Sequence, residues 1–579
     1  MAKIDKTESN IYDIPKGANV VKGGAVYIND SNYRIVPTDG RKPFVSHKKL
    51  CIGKVVEGQK GKFYANDNYK RKFLKEELPL PPEKNDSLSV GSYAIAAAVD
   101  EKFEVSKILK EAGFTKEQIS MIMDLVLYML DKESAVFQHF PAWARDNATF
   151  SDSISSDSTI SKFINGISYS EIQLFKDKWL ETVLKKNDKV FLCYDSTNVN
   201  SQAEGVSLVE KGHAKDDKTL NQVNTEYVVR QEDGIPVTYM QYPGSICDIA
   251  EAEEMIKYLG KFNKDTKMTA VCDRGYISED NVTYFNEHEL GFLLLLKSNT
   301  NASKKLITDH AKEVKDRYGC YIPEYGIYGK TFRIKLFKNS NIECYAHLIY
   351  DVDLERDHRE TLHNTINAQR LEIQRHIDRK DKLTEDNLKK YFMFDLELES
   401  SEVIIAPAKG RGVKKTEQPS FVIKSFKENE DVIAEEFSYC GFFILVTSDE
   451  MTVKEAVDGY SKRDSVEKVF ESLKSHLGMD KIGVHTEESM QGKTFLWFIA
   501  SIFRSSISHS LSSLRESSNN KKDYTTPAAI DRLDAIKADK NLSSGKYERR
   551  YKLTKTQKEI CKCLSIKESL IDEIIGGIC

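Results

Sequence analysis

KVFLCYD, residues 189–195, is an apolar run that ends in a carboxylate. Val190, Phe191, Leu192 and Cys193 follow one another without polar alternation, the mark of a strand buried on both faces. KMTAVCD (267–273) repeats the pattern, and GFLLLLK (291–297) and GFFILVTS (441–448) supply two more such runs. TEYVVRQEDGIPVTYMQY (225–242) alternates around Asp233-Gly234, a hairpin signal, and IAEAEEMIKYLGKF (249–262) has helical spacing. Together they predict an α/β core. Asp195 and Asp273 then stand at the carboxyl ends of separate core strands, where such sheets hold their ligands.

Outward from this core the sequence divides into six regions. Residues 1–90 form a basic N-terminal region of short strands and turns, closed by LPLPPEK (78–84), whose prolines break regular structure. Residues 91–186 are helical: TKEQISMIMDLVLYML (115–130) and SYSEIQLFKDKWLETVLKK (168–186) flank a Ser/Asp-rich loop, TFSDSISSDSTIS (149–161). The core occupies 187–300 and resumes over 439–515. Between lies an insertion, 301–438, in which strand-like KTFRIKLF (330–337) and ECYAHLIYD (343–351) accompany a charged helix near 356–383. The tail, 516–579, is polar and then weakly helical.

The 579 residues are 30% charged and 40% hydrophobic, a globular balance. The net charge of −4 conceals a basic start: residues 1–80 carry 16 Lys and Arg against 9 Asp and Glu. Arg41, Lys42, Lys48 and Lys49 are the candidates for contact with an anionic partner such as nucleic acid. The longest apolar runs, LGFLLLL (290–296) and FLWFIASIF (495–503), are too short to span a bilayer. MAKIDKTESN lacks the apolar core of a signal peptide. Ten scattered cysteines without a CxxC pair suit a reduced, cytoplasmic protein.

YSKRDSVEKVFESLK (460–474) reads as one helix. At 100° per residue, Tyr460, Arg463, Glu467 and Lys474 share a stripe about 60° wide. It runs beside the apolar face of Val466, Phe470, Leu473 and Leu477. TVKE (452–455) has the capping-box pattern that opens this helical region, Gly459 loosens it and Gly478 stops it. Taken alone, Arg463 and Glu467 are an ordinary solvated i, i+4 pair. Beside Asp195 and Asp273 the carboxylate of Glu467 gains meaning, because hard oxygen ligands suit Mg²⁺. Glu471, about 20° from Tyr460 on the other side, is its rival.

The spacing Tyr460-x2-Arg463-x3-Glu467-x6-Lys474 resembles the signature of one group of DDE transposases of bacterial insertion sequences. YDST (194–197), GHAKDDKTLNQVN (212–224), CDRGYIS (272–278) and VHTEESMQGKTFLWFIA (484–500) are similar to the same family. The resemblance implies a ribonuclease-H-like catalytic core interrupted by a β-rich insertion. The 194 residues between Asp273 and Glu467, against 78 between Asp195 and Asp273, leave room for it. It also implies that Asp195, Asp273 and Glu467 are catalytic and hold two Mg²⁺ ions, with Mn²⁺ a possible substitute, and that Tyr460, Arg463 and Lys474 contact DNA phosphates. The implied partners are double-stranded DNA, at the terminal inverted repeats and the target, and a second copy of the chain assembled on it. The implied activity is strand cleavage and strand transfer. A nuclease that cuts without joining and a transposase-derived DNA-binding protein without catalysis are the alternatives.

One feature departs from better-known members, some of which stack a flipped base on a tryptophan of the insertion. Trp143, Trp179 and Trp497 all lie outside it, leaving Tyr321, Tyr325 or Tyr328 as the aromatic candidates. GKT (492–494) lacks the first glycine of a phosphate loop. AKGRGVKK (408–415) is a basic loop suited to DNA or to solvent, and His213 and His485 are read as structural.

Overall fold

The computed structural model describes residues 6–7, 10–35, 44–74, 84–184, 189–212, 220–246, 248–262, 266–337, 341–385, 388–407, 413–518, 521–541 and 543–578. The chain divides into two compact units, Met1–Glu83 and Lys84–Cys579. In the first, five antiparallel strands lie in the order Ile11–Asp13, Lys62–Ala65, Phe44–Val55, Ala25–Ile35 and Asn19–Val20. Val26, Ile52 and Phe63 close a small core. Gly53 is needed at its tightest point, since a Cβ there would meet Tyr64 O at 2.0 Å.

The second unit is built on a nine-stranded sheet. β1 (Lys189–Ser201), β2 (Asn221–Arg230) and β3 (Pro236–Pro243) form an antiparallel meander. β4 (Lys267–Cys272) runs parallel to β1, and β5 (Gly291–Leu295) parallel to β4. β6 (Tyr321–Ile322), β7 (Ile327–Lys335), β8 (Glu343–Tyr350) and β9 (Phe442–Thr447) continue beyond β5 as antiparallel strands, giving the spatial order β3-β2-β1-β4-β5-β9-β8-β7-β6. The β2–β3 turn forms where Asp233-Gly234 predicts it. Gly234 takes φ +69°, and Asp233 pairs with Arg230 at 2.5 Å.

Helices cover the sheet. α1 (Lys116–Lys132) starts at a Thr115–Gln118 capping box and is buried from Ile122 to Leu130. The Ser/Asp-rich stretch expected as loop to residue 161 ends earlier, because Ser156 accepts the Thr159 amide and caps a helix over Asp157–Asn165. The insertion also divides. Its strands β6–β8 lengthen the central sheet, since β8 is apolar on both faces and pairs along its length with β9. Only the part from 352 to 438 forms a satellite, with its own core of Ile366, Ile373, Phe392, Ile423 and Ile433. Its charged helix α2 (Val352–Arg379) begins four residues before the expected start, because Asp351 accepts the amides of Asp353 and Leu354.

The last core strand is followed by α3 (Val453–Ser461), α4 (Asp464–His476) and α5 (Glu487–Ser510). α5 is buried without interruption from Gly492 to Arg504, as its apolar run requires. The residues after 516 are part of the body. The strand Lys537–Lys540 pairs with Ser87–Ser89 and with Tyr547–Arg549, and Ile530, Leu533, Ile560 and Ile571 join the main core. Among the described residues no helix is long and apolar enough to cross a membrane.

Candidate active site

Asp195 does not end its strand. β1 continues to Ser201 and pairs with β2 throughout, because the polar STNVNS segment lies against the equally polar NQVNTE of β2. What ends at Asp195 is the parallel pairing with β4, whose last partners are Tyr194 and Cys272. Asp195 and Asp273 therefore follow the same register step on neighbouring strands. Each carboxylate is anchored by the next backbone amide: Ser196 N donates to Asp195 Oδ1 at 2.8 Å and Arg274 N to Asp273 Oδ1 at 2.7 Å. Each anchoring bond uses Oδ1.

The 460–474 stretch is two helices, not one. The chain breaks over Lys462 and Arg463, where Arg463 N bonds to Tyr460 O at 3.0 Å and Val466 N to Arg463 O at 3.2 Å. In such an i to i+3 turn, residues three apart eclipse each other. Arg463 thus comes over Tyr460, its guanidinium 5.8 Å from the ring centre, where an unbroken helix would set it 60° aside. Gly459 stays helical and packs close to Leu293, so the loosening expected there occurs three residues later, at Lys462.

This turn gathers the site. Arg463 Nη2 lies 2.6 Å from Glu467 Oε1 and its Nη1 3.7 Å from Asp195 Oδ2. Tyr460 OH donates a long hydrogen bond, 3.4 Å, to Asp273 Oδ1. The Arg463 side chain is 18% exposed and that of Glu467 54%. Burial works against the Arg463 charge, but Tyr460, Glu467, Asp273 and Asp195 together outweigh it and hold its pKa above the ordinary value. Burial, then the charge of Asp273, raises the Tyr460 phenol, so it stays a hydrogen-bond donor.

Lys474 lies two turns beyond Glu467 on α4. It opens on a cavity of about 750 Å³ that Lys481 and Lys493 also line. Lys493 is held there by Ile482 O at 2.8 Å, which accounts for GKT as interior helix. Glu471 faces another cavity, of about 740 Å³, with Gln231, Lys462, Lys468 and Arg504. Neither aspartate lines it. Among the N-terminal cations, Lys49 is exposed, while Arg41, Lys42 and the Lys48 side chain lie outside the described residues, as do His213 and residues 408–412 of the basic loop. All three tryptophans are buried, and each indole N–H donates: Trp143 to Asp131, Trp179 to Pro236 O, Trp497 to Leu477 O. Tyr321 and Tyr325 are 39% and 41% exposed, and Tyr325 OH donates to Asp458.

The donor set of two aspartates and a glutamate has the chemistry of a hard divalent cation site. Its arrangement here is an ion-pair cluster, in which Arg463 supplies the positive charge between Asp195 and Glu467. Among the described residues no three His, Cys, Asp or Glu side chains converge closely enough to hold a metal ion. Sequence reasoning missed Gln231 and Cys193. Both reach the backbone of the break, from a hairpin and a strand whose composition carries no sign of it.

No curated protein matches the sequence. Among solved structures, the chain is similar to one described as the cryo-EM structure of piggyBac transposase synaptic complex with hairpin DNA. The identity is 9%, the TM-score 0.30, and the match covers 83% of this chain and 72% of that one. The sequence profile of the family described as Transposase DDE domain matches residues 186–503, a span that takes in Asp195, Asp273 and the whole of 460–474. The chain belongs to this family, and it is a DDE transposase.

Proposed function

We propose that the protein binds the terminal inverted repeats of a bacterial insertion sequence and catalyses DNA strand cleavage and strand transfer. The catalytic residues in this reading are Asp195, Asp273 and Glu467. One observation carries it: two aspartates at the same register step of adjacent parallel strands, Asp195 joined through Arg463 to a glutamate on the helix after the last core strand and Asp273 bonded to Tyr460. The strand order β3-β2-β1-β4-β5, with a meander first and parallel strands after it, supports a ribonuclease-H-like core.

Asp195, Asp273 and Glu467 would hold two divalent ions, Mg²⁺ or in its place Mn²⁺. Ions bound there would activate a water or a 3′-hydroxyl and stabilise the leaving oxygen of the scissile phosphodiester. The remaining residues act on the DNA backbone. The Arg463 guanidinium offers a fork to a phosphate, Lys474 a point charge and Tyr460 a hydroxyl donor. Such contacts fix register without reading bases. When a phosphate takes Arg463, the Glu467 carboxylate loses its partner and is released toward the aspartates. The basic N-terminal unit would bind the element end, and two copies would assemble on two ends.

The deciding experiment is cleavage of a duplex carrying the element's own end, with Mg²⁺, by wild type and Glu467→Gln. Nicking by wild type, with binding but no cutting by the variant, is the expected result. Tight binding by both and cutting by neither would put a non-catalytic DNA-binding protein in its place. Joining of pre-cut ends separates transposition from a nuclease that only cuts.

A further inference from the structure

A helix that breaks leaves carbonyls that need donors, and at buried Gly459 the donor must come from the protein. In an unbroken helix Gly459 O would accept from Arg463 N, but that amide is turned to Tyr460 O. Gln231 takes its place: its Nε2 donates to Gly459 O at 2.5 Å. Ser461 Oγ serves Asp458 O at 3.1 Å, and Cys193 Sγ and Ser465 N serve Lys462 O at 3.7 and 3.1 Å. Of these donors, Gln231 and Cys193 come from outside the 453–476 segment. Cys193 lies on β1 two residues before Asp195, and Gln231 follows β2.

Gln231 is itself fixed, because its backbone N–H donates to Phe191 O at 2.9 Å, tying it to β1. Its carboxamide also contacts Cys193 Sγ at 3.7 Å. The strand that carries Asp195 and the turn that aims Arg463 are thus linked through one side chain. Gln231 lines the 740 Å³ cavity, which neither aspartate lines.

We propose that Gln231 is a positioning residue for strand cleavage: its carboxamide holds the α3–α4 break and so aims Arg463 at the carboxylates and the phosphate. Without that donor, Gly459 O recovers its partner most simply by taking back the Arg463 amide. The helix then runs on, and the guanidinium swings about 60° away from Tyr460. The proposal rests on the reading of Arg463 as a phosphate ligand.

The test uses the full chain as wild type, Gln231→Met, Arg463→Ala and the double variant. Two readouts are taken on a duplex carrying the element's own end: the cleavage rate with Mg²⁺, and the salt dependence of binding. Gln231→Met keeps the side chain's length and removes its donor. It is expected to slow cleavage by about ten-fold or more and to lower the salt slope by about 1, as Arg463→Ala does. Added to Arg463→Ala it is expected to change neither, because the two act through one contact. Gln231→Lys, which keeps an N–H donor on a chain of similar reach, is expected to restore cleavage. Multiplying losses in the double variant, a wild-type rate in Gln231→Met, or equal losses in the Met and Lys variants would each overturn the proposal while leaving the phosphate reading intact. An Arg463→Ala protein with wild-type rate and slope would instead bring down the phosphate reading, and the proposal with it.

Discussion

At the scale of the residue, the site is a competition for carboxylates. Arg463 holds Glu467 at 2.6 Å and stands 3.7 Å from Asp195, so the oxygens that suit a divalent cation already face a positive charge. Glu467 is more than half exposed, and a pair so placed is worth little in free energy, about 1 kcal/mol at most. In the proposed reading it is therefore a barrier that a phosphate would remove. Arg463→Gln should let the free protein bind Mn²⁺ a few-fold to about ten-fold more tightly, since 1.4 kcal/mol is one decade, while end cleavage falls. Electron paramagnetic resonance titration of Mn²⁺ without DNA measures the first effect independently of activity. Unchanged or weaker Mn²⁺ binding in the variant would mean that Arg463 does not oppose the ion. Adding end duplex should strengthen Mn²⁺ binding in wild type more than in Arg463→Gln.

At the scale of the element, what local chemistry decides can be read in the sequence, and what distant partners decide cannot. The Thr452–Glu455 capping box is legible as TVKE and forms: Thr452 Oγ1 accepts the Glu455 amide at 3.2 Å, and Glu455 Oε2 accepts the Thr452 amide at 2.7 Å. Thr452→Ala should therefore cost about 1 kcal/mol, read as a lower midpoint in urea. No shift would mean that packing of Val453, Ala456 and Val457 alone holds α3. The core strands were legible for the same reason, as runs such as KVFLCYD have only one use. The break at Lys462–Arg463 was not. The apolar spacing of Val466, Phe470 and Leu473 runs through without a gap, and the donors that stabilise the break come from Cys193 and Gln231, some 230 to 270 residues away. Nor could local pattern show that β8 would complete the central sheet and not a separate domain. That depends on its pairing with β9, which lies beyond the whole satellite.

At the scale of the molecule, the two ends of the second unit are joined where composition suggests a loose tail. Strands Ser87–Ser89 and Lys537–Lys540 pair, and beside them Asp534 meets Asp131 of α1. Ser92 donates to Asp534 Oδ1 through its amide at 2.8 Å and its hydroxyl at 2.5 Å. Asp131 takes the Trp143 indole N–H at 2.5 Å and Lys132 at 3.1 Å. Two carboxylates in contact cannot both ionise cheaply. Burial first, then the hydrogen bond and charge of Asp131, raise the Asp534 pKa to about 8, and Asp131 is held below the usual range as the charged partner. An unfolded aspartate titrates near 3.9, so between roughly pH 4 and pH 8 folding takes up a proton. The stability this proton gives is complete below pH 4 and is lost as pH rises through 8. Asp534→Asn keeps the shape and a permanent donor to Asp131 and has no proton to lose. It should flatten the fall in melting temperature between pH 5 and pH 9 and leave the variant more stable than wild type at pH 9, by on the order of 1 kcal/mol or more. The difference between the two proteins at each pH isolates this group from every other titration. Parallel curves would place the proton elsewhere, and the clamp between the ends of the unit would then rest on strand pairing and on the burial of Leu533 and Ile530 alone.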